Sequence, residues 1–226
     1  NSGKSSDIVV FLEDGKYTLV AFNEKRNQID YVRIRGHENL STLEAYTTKS
    51  STVYNASKKS DNDNYINQPG ILAVAKQTIT ISSQTCQCSV QQNKFQENRL
   101  SQITLRPIPK TTKVNIKVHI KNIHNARFPI LAELKNVSSN YYFDTDINGQ
   151  ELATIQTLVS DREFDESSIY DGTISASIST FGIIEGVNIA YSNLLIQLVD
   201  KDRTIFNYQT DISPYITKDE GDKSII

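Results

Sequence analysis

Cysteine, glycine and proline are scarce in this chain, methionine and tryptophan are absent, and neither sign of charge prevails. Each shortage removes a class of function. The only two cysteines, Cys86 and Cys88, are two residues apart. On a strand such a pair faces one side and does not bond to itself. As half of a metal site the pair would need further ligands, and His37, His119 and His124 show no matching spacing. No metal and no cofactor are therefore expected. With nine glycines there is no Gly-rich loop to cradle a phosphate, and no G-x-S-x-G turn presents a nucleophile. The net charge of −2 and pI near 6.0 offer nothing to recruit nucleic acid or anionic lipid. No apolar run approaches the roughly 20 residues that cross a bilayer. No positively charged start followed by an apolar stretch marks a signal peptide. The polar opening Asn1-Ser2-Gly3-Lys4-Ser5-Ser6 reads as the start of a chain whose leader has been removed.

What remains is core material and alternation. Eleven Tyr and eight Phe accompany 38% hydrophobic residues, enough to separate this polar but lightly charged chain from a disordered one. The clearest period-2 segment is Lys113 to Lys121, in which Val114, Ile116, Val118 and Ile120 share one face and Lys, Asn and His the other. Further strands are expected at Ile8–Leu12, Tyr17–Phe22, Tyr31–Ile34, Ile71–Ala75, Thr78–Ile81, Thr173–Ser179, Leu194–Val199 and Thr204–Tyr208. Asp14-Gly15 reads as a hairpin turn after the first of these, and Asp200-Lys201-Asp202 as a turn between the last two. Two short helices compete with this pattern, at Leu43-Glu44-Ala45-Tyr46 and around Leu152, Ile155, Leu158 and Val159. The Thr residues near both favour strands.

Strands joined by short turns predict an all-β chain of antiparallel sandwiches. The two prolines of Leu105-Arg106-Pro107-Ile108-Pro109 read as an extended connector. They divide the chain into an N-terminal domain, 1–109, and a C-terminal domain, 110–226. The polar stretch Thr47–Gln68 is either a surface loop or partly disordered.

No motif nominates a catalytic residue. Asp144-Thr145-Asp146-Ile147-Asn148-Gly149 begins like a calcium loop, but Ile155 stands where a bidentate Glu should close it, so an Asx-rich turn is the reading. His119 and His124 read as surface residues, and Asp61-Asn62-Asp63-Asn64 as a solvated loop.

One string has a familiar order: Gly15-x-Tyr17-x-Leu19-Val20-Ala21-Phe22-Asn23, Tyr31-Val32-Arg33-Ile34, Leu43-Glu44-Ala45-Tyr46-Thr47 and Gln68-Pro69-Gly70-Ile71-Leu72-Ala73-Val74-Ala75. Arg106-Pro107, Asp171-Gly172-Thr173-Ile174 and Ser179-Thr180-Phe181-Gly182 continue it. Together these resemble the fimbrillin-like secreted lipoproteins of Gram-negative gut and oral bacteria, of Bacteroides type, over roughly residues 8–210. The resemblance implies two transthyretin-like sandwich domains in tandem and a place outside the cell, on the outer membrane or a fimbrium. It also implies a lipid anchor on a residue not in this sequence. Implied partners are other fimbrial subunits or surface ligands of host or bacterium, with assembly by β-strand exchange and no enzymatic activity.

An open sheet edge accepts a donor strand through main-chain bonds and side-chain pockets. The tail, with Tyr215, Ile216, Ile225 and Ile226, is a candidate donor or else a frayed terminus. In the alternative function, a carbohydrate- or protein-binding module without polymerisation, Tyr141 and Tyr142 would supply stacking faces.

Overall fold

Branched side chains pack well on a pleated surface, and the segments richest in them form long strands. In a computed structural model of the chain, the residues described are 10–23, 32–52, 64–82, 103–159, 162–182, 193–212 and 223–225. The strands run β1 (Gly15–Phe22), β2 (Val32–Arg35), β3 (Glu44–Thr47), β4 (Tyr65–Ile66), β5 (Ala73–Ile81) and β6 (Ile108–Pro109). They continue as β7 (Thr112–Ile120), β8 (Ala126–Ser138), β9 (Asn140–Tyr142), β10 (Ile147–Asn148) and β11 (Leu152–Val159). The last are β12 (Arg162–Asp165), β13 (Ser168–Thr180), β14 (Asn193–Asp200), β15 (Ile205–Asp211) and β16 (Lys223–Ile225). Among the described residues there is no α-helix, only 3₁₀ turns at Leu40–Thr42 and Ile123–Asn125. Among the same residues no helix is long and apolar enough to cross a membrane.

The chain forms two units, residues 1–23 with 74–108 and residues 24–73 with 109–226. The first contains a sheet in the order β1-β5-β6, in which β1 and β5 are antiparallel from Gly15↔Ile81 to Phe22↔Val74. The segments Ile71–Ala75 and Thr78–Ile81, expected as two strands, are joined from Ala73 onward in the one continuous strand β5, with Ile71 and Leu72 outside it. Asp14-Gly15 makes no hairpin, because Gly15 already pairs with Ile81 and the described residues before it are not in a strand. Pro109 ends β6 on the edge of this sheet, where a missing donor costs no ladder bond.

The second unit is a sandwich. One sheet runs β15-β14-β8-β11-β4 and the other β12-β13-β7-β16, while a smaller sheet runs β10-β9-β3-β2. Val114 and Ile116 of β7 and Ile174 and Ile178 of β13 meet Ile130, Leu134, Ile155 and Ile196 from the facing sheet in one core. The alternating segment Lys113–Lys121 is thus β7, and its apolar face is the buried one as far as Ile116.

Both helix candidates are strands. Glu44–Thr47 is paired on both sides, with β2 and β9, and Leu152–Val159 lies between β8 and β4. A segment with hydrogen-bonding neighbours on each flank satisfies its main chain through the ladder, which overrides a weak local helical spacing. The same pairings depart from the division at 109/110. β2, β3 and β4 come from the first half of the sequence but are laddered into the second unit. Asp200-Lys201-Asp202 does turn β14 into β15, with the Asp200 amide donating to the Thr204 carbonyl at 3.0 Å.

Candidate assembly site

Sheet edges, turns and exposed side chains are where a β-sandwich meets other molecules. Among the described residues no group of His, Cys, Asp and Glu is placed to hold a metal ion. Cys86, Cys88, Tyr215, Ile216 and Ile226 lie outside the described residues.

Ile225 belongs to β16, whose main chain runs parallel to β7 in the register Lys223↔Val114, Ser224↔Asn115 and Ile225↔Ile116. Among the described residues β7 is otherwise paired only with β13, from Thr112↔Thr180 to Ile120↔Gly172. The tail thus occupies three positions at the lower end of an edge. Along Lys117–Ile120 the same edge carries no strand among the described residues. A parallel partner cannot arrive through a tight hairpin and has to be brought in by a longer connection.

The tyrosine pair takes a different role from the one its sequence suggests. Tyr141 is 3% exposed and cannot offer a stacking face. It is the middle residue of β9, with its ring edge-on to Phe143 at 5.4 Å and its hydroxyl donating to Asp146 Oδ1 at 2.6 Å. Burial, that hydrogen bond and the Asp146 charge all push the phenol well above its ordinary pKa. Asp146, at φ +58°, is held in turn by Lys110 Nζ at 2.7 Å. The calcium-like sequence is therefore a turn whose carboxylate is taken by an ammonium and a phenol. Tyr142 is half-buried and pairs with Glu44 and Ile147 in its sheet.

Next to this turn lies a polar knot that the sequence did not announce. Glu44 is buried, paired with the exposed Arg35 and accepting from Asn140 Nδ2 at 2.9 Å. Ser138 Oγ donates towards the carbonyls of Asn140 and Gly149, at 2.7 and 2.9 Å. Asn140 Oδ1 is buried without a partner and sits where a side chain on Gly149 would go. These bonds tie β3, from the first half of the sequence, to β9 and the turn after it.

His119 lies 3.7 Å from Asp165, and His124 meets the ring of Tyr170 edge-on at 4.8 Å. Nearby, the Arg162 guanidinium lies 4.7 Å from the rings of both Phe128 and Phe164. Phe164, Ile169 and Tyr170 are exposed, and so are Ile205, Phe206 and Tyr208 on β15. The strand expected at Thr204–Tyr208 is β15, which opens with the uncharged run Ile205-Phe206-Asn207-Tyr208-Gln209-Thr210.

Comparison with known proteins bears on this architecture. Residues 2–157 match the family model described as a domain of unknown function, DUF5119. No curated protein matches the chain in sequence. Among solved structures it is similar to a candidate adhesin from Bacteroides ovatus, at 15% identity and a TM-score of 0.59, over 95% of this chain and 72% of that one. It is also similar to a candidate adhesin from Bacteroides thetaiotaomicron, at 12% identity and a TM-score of 0.54, over 89% of this chain and 61% of that one. At such identities the likeness is one of fold. The expected all-β sandwich fold holds.

Proposed function

The chain belongs to the DUF5119 family, and we propose that it is a cell-surface adhesion or fimbria-associated protein that assembles by exchange of its terminal strand. The observation that carries this reading is β16, the three-residue strand Lys223–Ile225 added in parallel to one end of the β7 edge. Such a strand makes the same main-chain bonds whether it comes from its own chain or from a neighbour, so exchange conserves the ladder and turns an intramolecular closure into a link. The fold shared with two Bacteroides candidate adhesins supports a surface location. The same location accommodates a lipid anchor and fimbrial partners, and the role is structural, with no catalytic group assigned.

The register supplies the test. In a background with Cys86→Ser and Cys88→Ser, Asn115→Cys and Ser224→Cys are made in separate chains and mixed under mild oxidation. Exchange predicts a disulfide between unlike chains. If the doubly substituted chain closes only on itself while the mixture stays uncrosslinked, strand exchange is wrong and β16 is a fixed part of its own sheet.

A second reading, a glycan-binding module, is favoured by Tyr170, which is 53% exposed beside His124. Loss of binding on a saccharide array with Tyr170→Ala would support it, and an array with no binding to the parent chain would remove it.

A further inference from the structure

We propose that β15 is a homodimerisation edge, on which two copies of this chain pair antiparallel about a twofold axis at Tyr208. Among the described residues β15 ends its sheet, and its side chains are open: Ile205 is 52%, Phe206 54% and Tyr208 57% exposed. The strand registers with β14 without a shift from Val199↔Ile205 to Asn193↔Asp211. From Ile205 to Thr210 it carries no Lys, Pro or any charge, the devices that usually keep an edge strand from pairing.

The direction of its main-chain groups follows from the turn. The Asp200 amide donates to the Thr204 carbonyl, which makes that pair a hydrogen-bonded one. Alternation along an antiparallel ladder then turns Phe206, Tyr208 and Thr210 towards β14, and Ile205, Asn207 and Gln209 outward. The side chains agree. Gln197 Nε2 donates to Asn207 Oδ1 at 2.9 Å across a directly opposed pair, as expected where the pair is not hydrogen-bonded and the side chains approach more closely.

The strand complements itself, which is why the occupant is a second copy. In the register that overlaps all seven residues, Asn207 stands opposite Gln209 of the second copy and Gln209 opposite its Asn207. The outward groups of both strands then meet in hydrogen-bonded pairs. Tyr208 faces Tyr208, Phe206 faces Thr210, and Asp211 falls opposite Ile205, so no like charges are opposed. The face carrying Phe206 and Tyr208 is the one on which Ile196, opposite Tyr208, is buried in the core. Pairing would gather four aromatic rings over the junction and extend the sheet from one copy into the next, with the offset geometries such rings prefer. This surface is separate from the β7 edge and does not depend on strand exchange.

Sedimentation equilibrium of the full chain tests the proposal. The parent is expected to dimerise reversibly with concentration. Tyr208→Lys sets two ammonium groups together at the axis, and Gln209→Pro deletes an outward donor while leaving the bonds to β14. Both variants should be monomeric, with circular dichroism and melting unchanged. In the Cys86→Ser, Cys88→Ser background, Tyr208→Cys should give disulfide-linked dimers, because residues at the axis face each other, and Thr210→Cys should not. A parent monomeric at every concentration, dimers surviving both β15 variants, or equal crosslinking at positions 208 and 210 would each overturn it. Removing residues 213–226 should leave the dimer intact while abolishing any strand exchange, so the two readings fail separately.

Discussion

Replacing Gly149 by alanine probes the polar knot through one methyl group. A Cβ built there would lie 1.7 Å from Asn140 Oδ1 and 2.4 Å from its Cγ. Gly149 does not occupy the left-handed region, so alanine is acceptable to the backbone and the whole effect comes from the collision. The side chain of Asn140 must swing away, and in doing so it loses its 2.9 Å bond to the buried Glu44. A hydrogen bond to a charged group contributes about 1.5–3 kcal/mol. At about 2–4 °C per kcal/mol for a chain of this size, the melting temperature should fall by about 3–12 °C. Asn140→Ala removes the same bond directly, together with the obstacle, and should cost a similar amount. The double variant should then be no less stable than Asn140→Ala alone, a coupling of about 1.5–3 kcal/mol in a double-mutant cycle. Urea unfolding followed by tyrosine fluorescence and circular dichroism measures all four corners. Additive costs would refute the reasoning, because they would mean that Asn140 does not yield to the methyl group.

Two further expectations rest on burial. The Tyr141 phenol is raised in the folded chain, so its contribution to stability is fully present below the ordinary tyrosine range, about pH 10, and is lost as pH rises above it, where only the unfolded chain gives up the proton. Tyr141→Phe should flatten that alkaline decline in pH-dependent melts while losing the bond to Asp146 at every pH. Ile155→Ala, at a position with no exposure, should cost about 2–5 kcal/mol, whereas Ile169→Ala, at 75% exposed, should stay within about 0.5 kcal/mol on the same denaturation curves.

Legibility followed periodicity. β7, β13, β14 and β15 were readable because one face alternates apolar with polar or because a charged turn separates two runs. The central strand β8 was not, since Ile130-Leu131-Ala132-Glu133-Leu134 is buried without a break, and a strand covered on both faces shows no alternation. Its Glu133 looks exposed in sequence but is covered and bonded by Gln156 across the ladder. Pairing was out of reach for a more basic reason. Alternation assigns faces and not neighbours, so nothing in Glu44–Thr47 reveals that it sits between β2 and β9, almost 100 residues apart in sequence from the latter. That blindness produced the division at 109/110. It also hid the polar knot, whose two halves, Glu44 and Asn140, are joined only once the sheet exists. Tyr141 and Tyr142 misled by adjacency: consecutive strand residues point to opposite faces, so the two could not both be stacking platforms on one surface.

The edges of the sandwich sort themselves by how each is protected. β12 is short, carries Arg162, Glu163 and Asp165, and has a register shift between Phe164 and Asp165, all of which discourage a further strand. β4 is only two residues long and is pinned by the Asn64 carbonyl, which accepts from the Thr154 amide at 2.8 Å. On the exposed side of β7, Lys113 and Lys117 punctuate the strand, and β16 pairs with its lower end. β15 has none of these devices over six consecutive residues, and its apolar side chains remain in water. An apolar edge without such devices costs solubility unless something pairs with it. A strand that is its own complement needs only a second copy to remove that cost. Under the two proposals made above, the edges divide the work: strand exchange at β7 would link chains in series, and pairing at β15 would join them two by two.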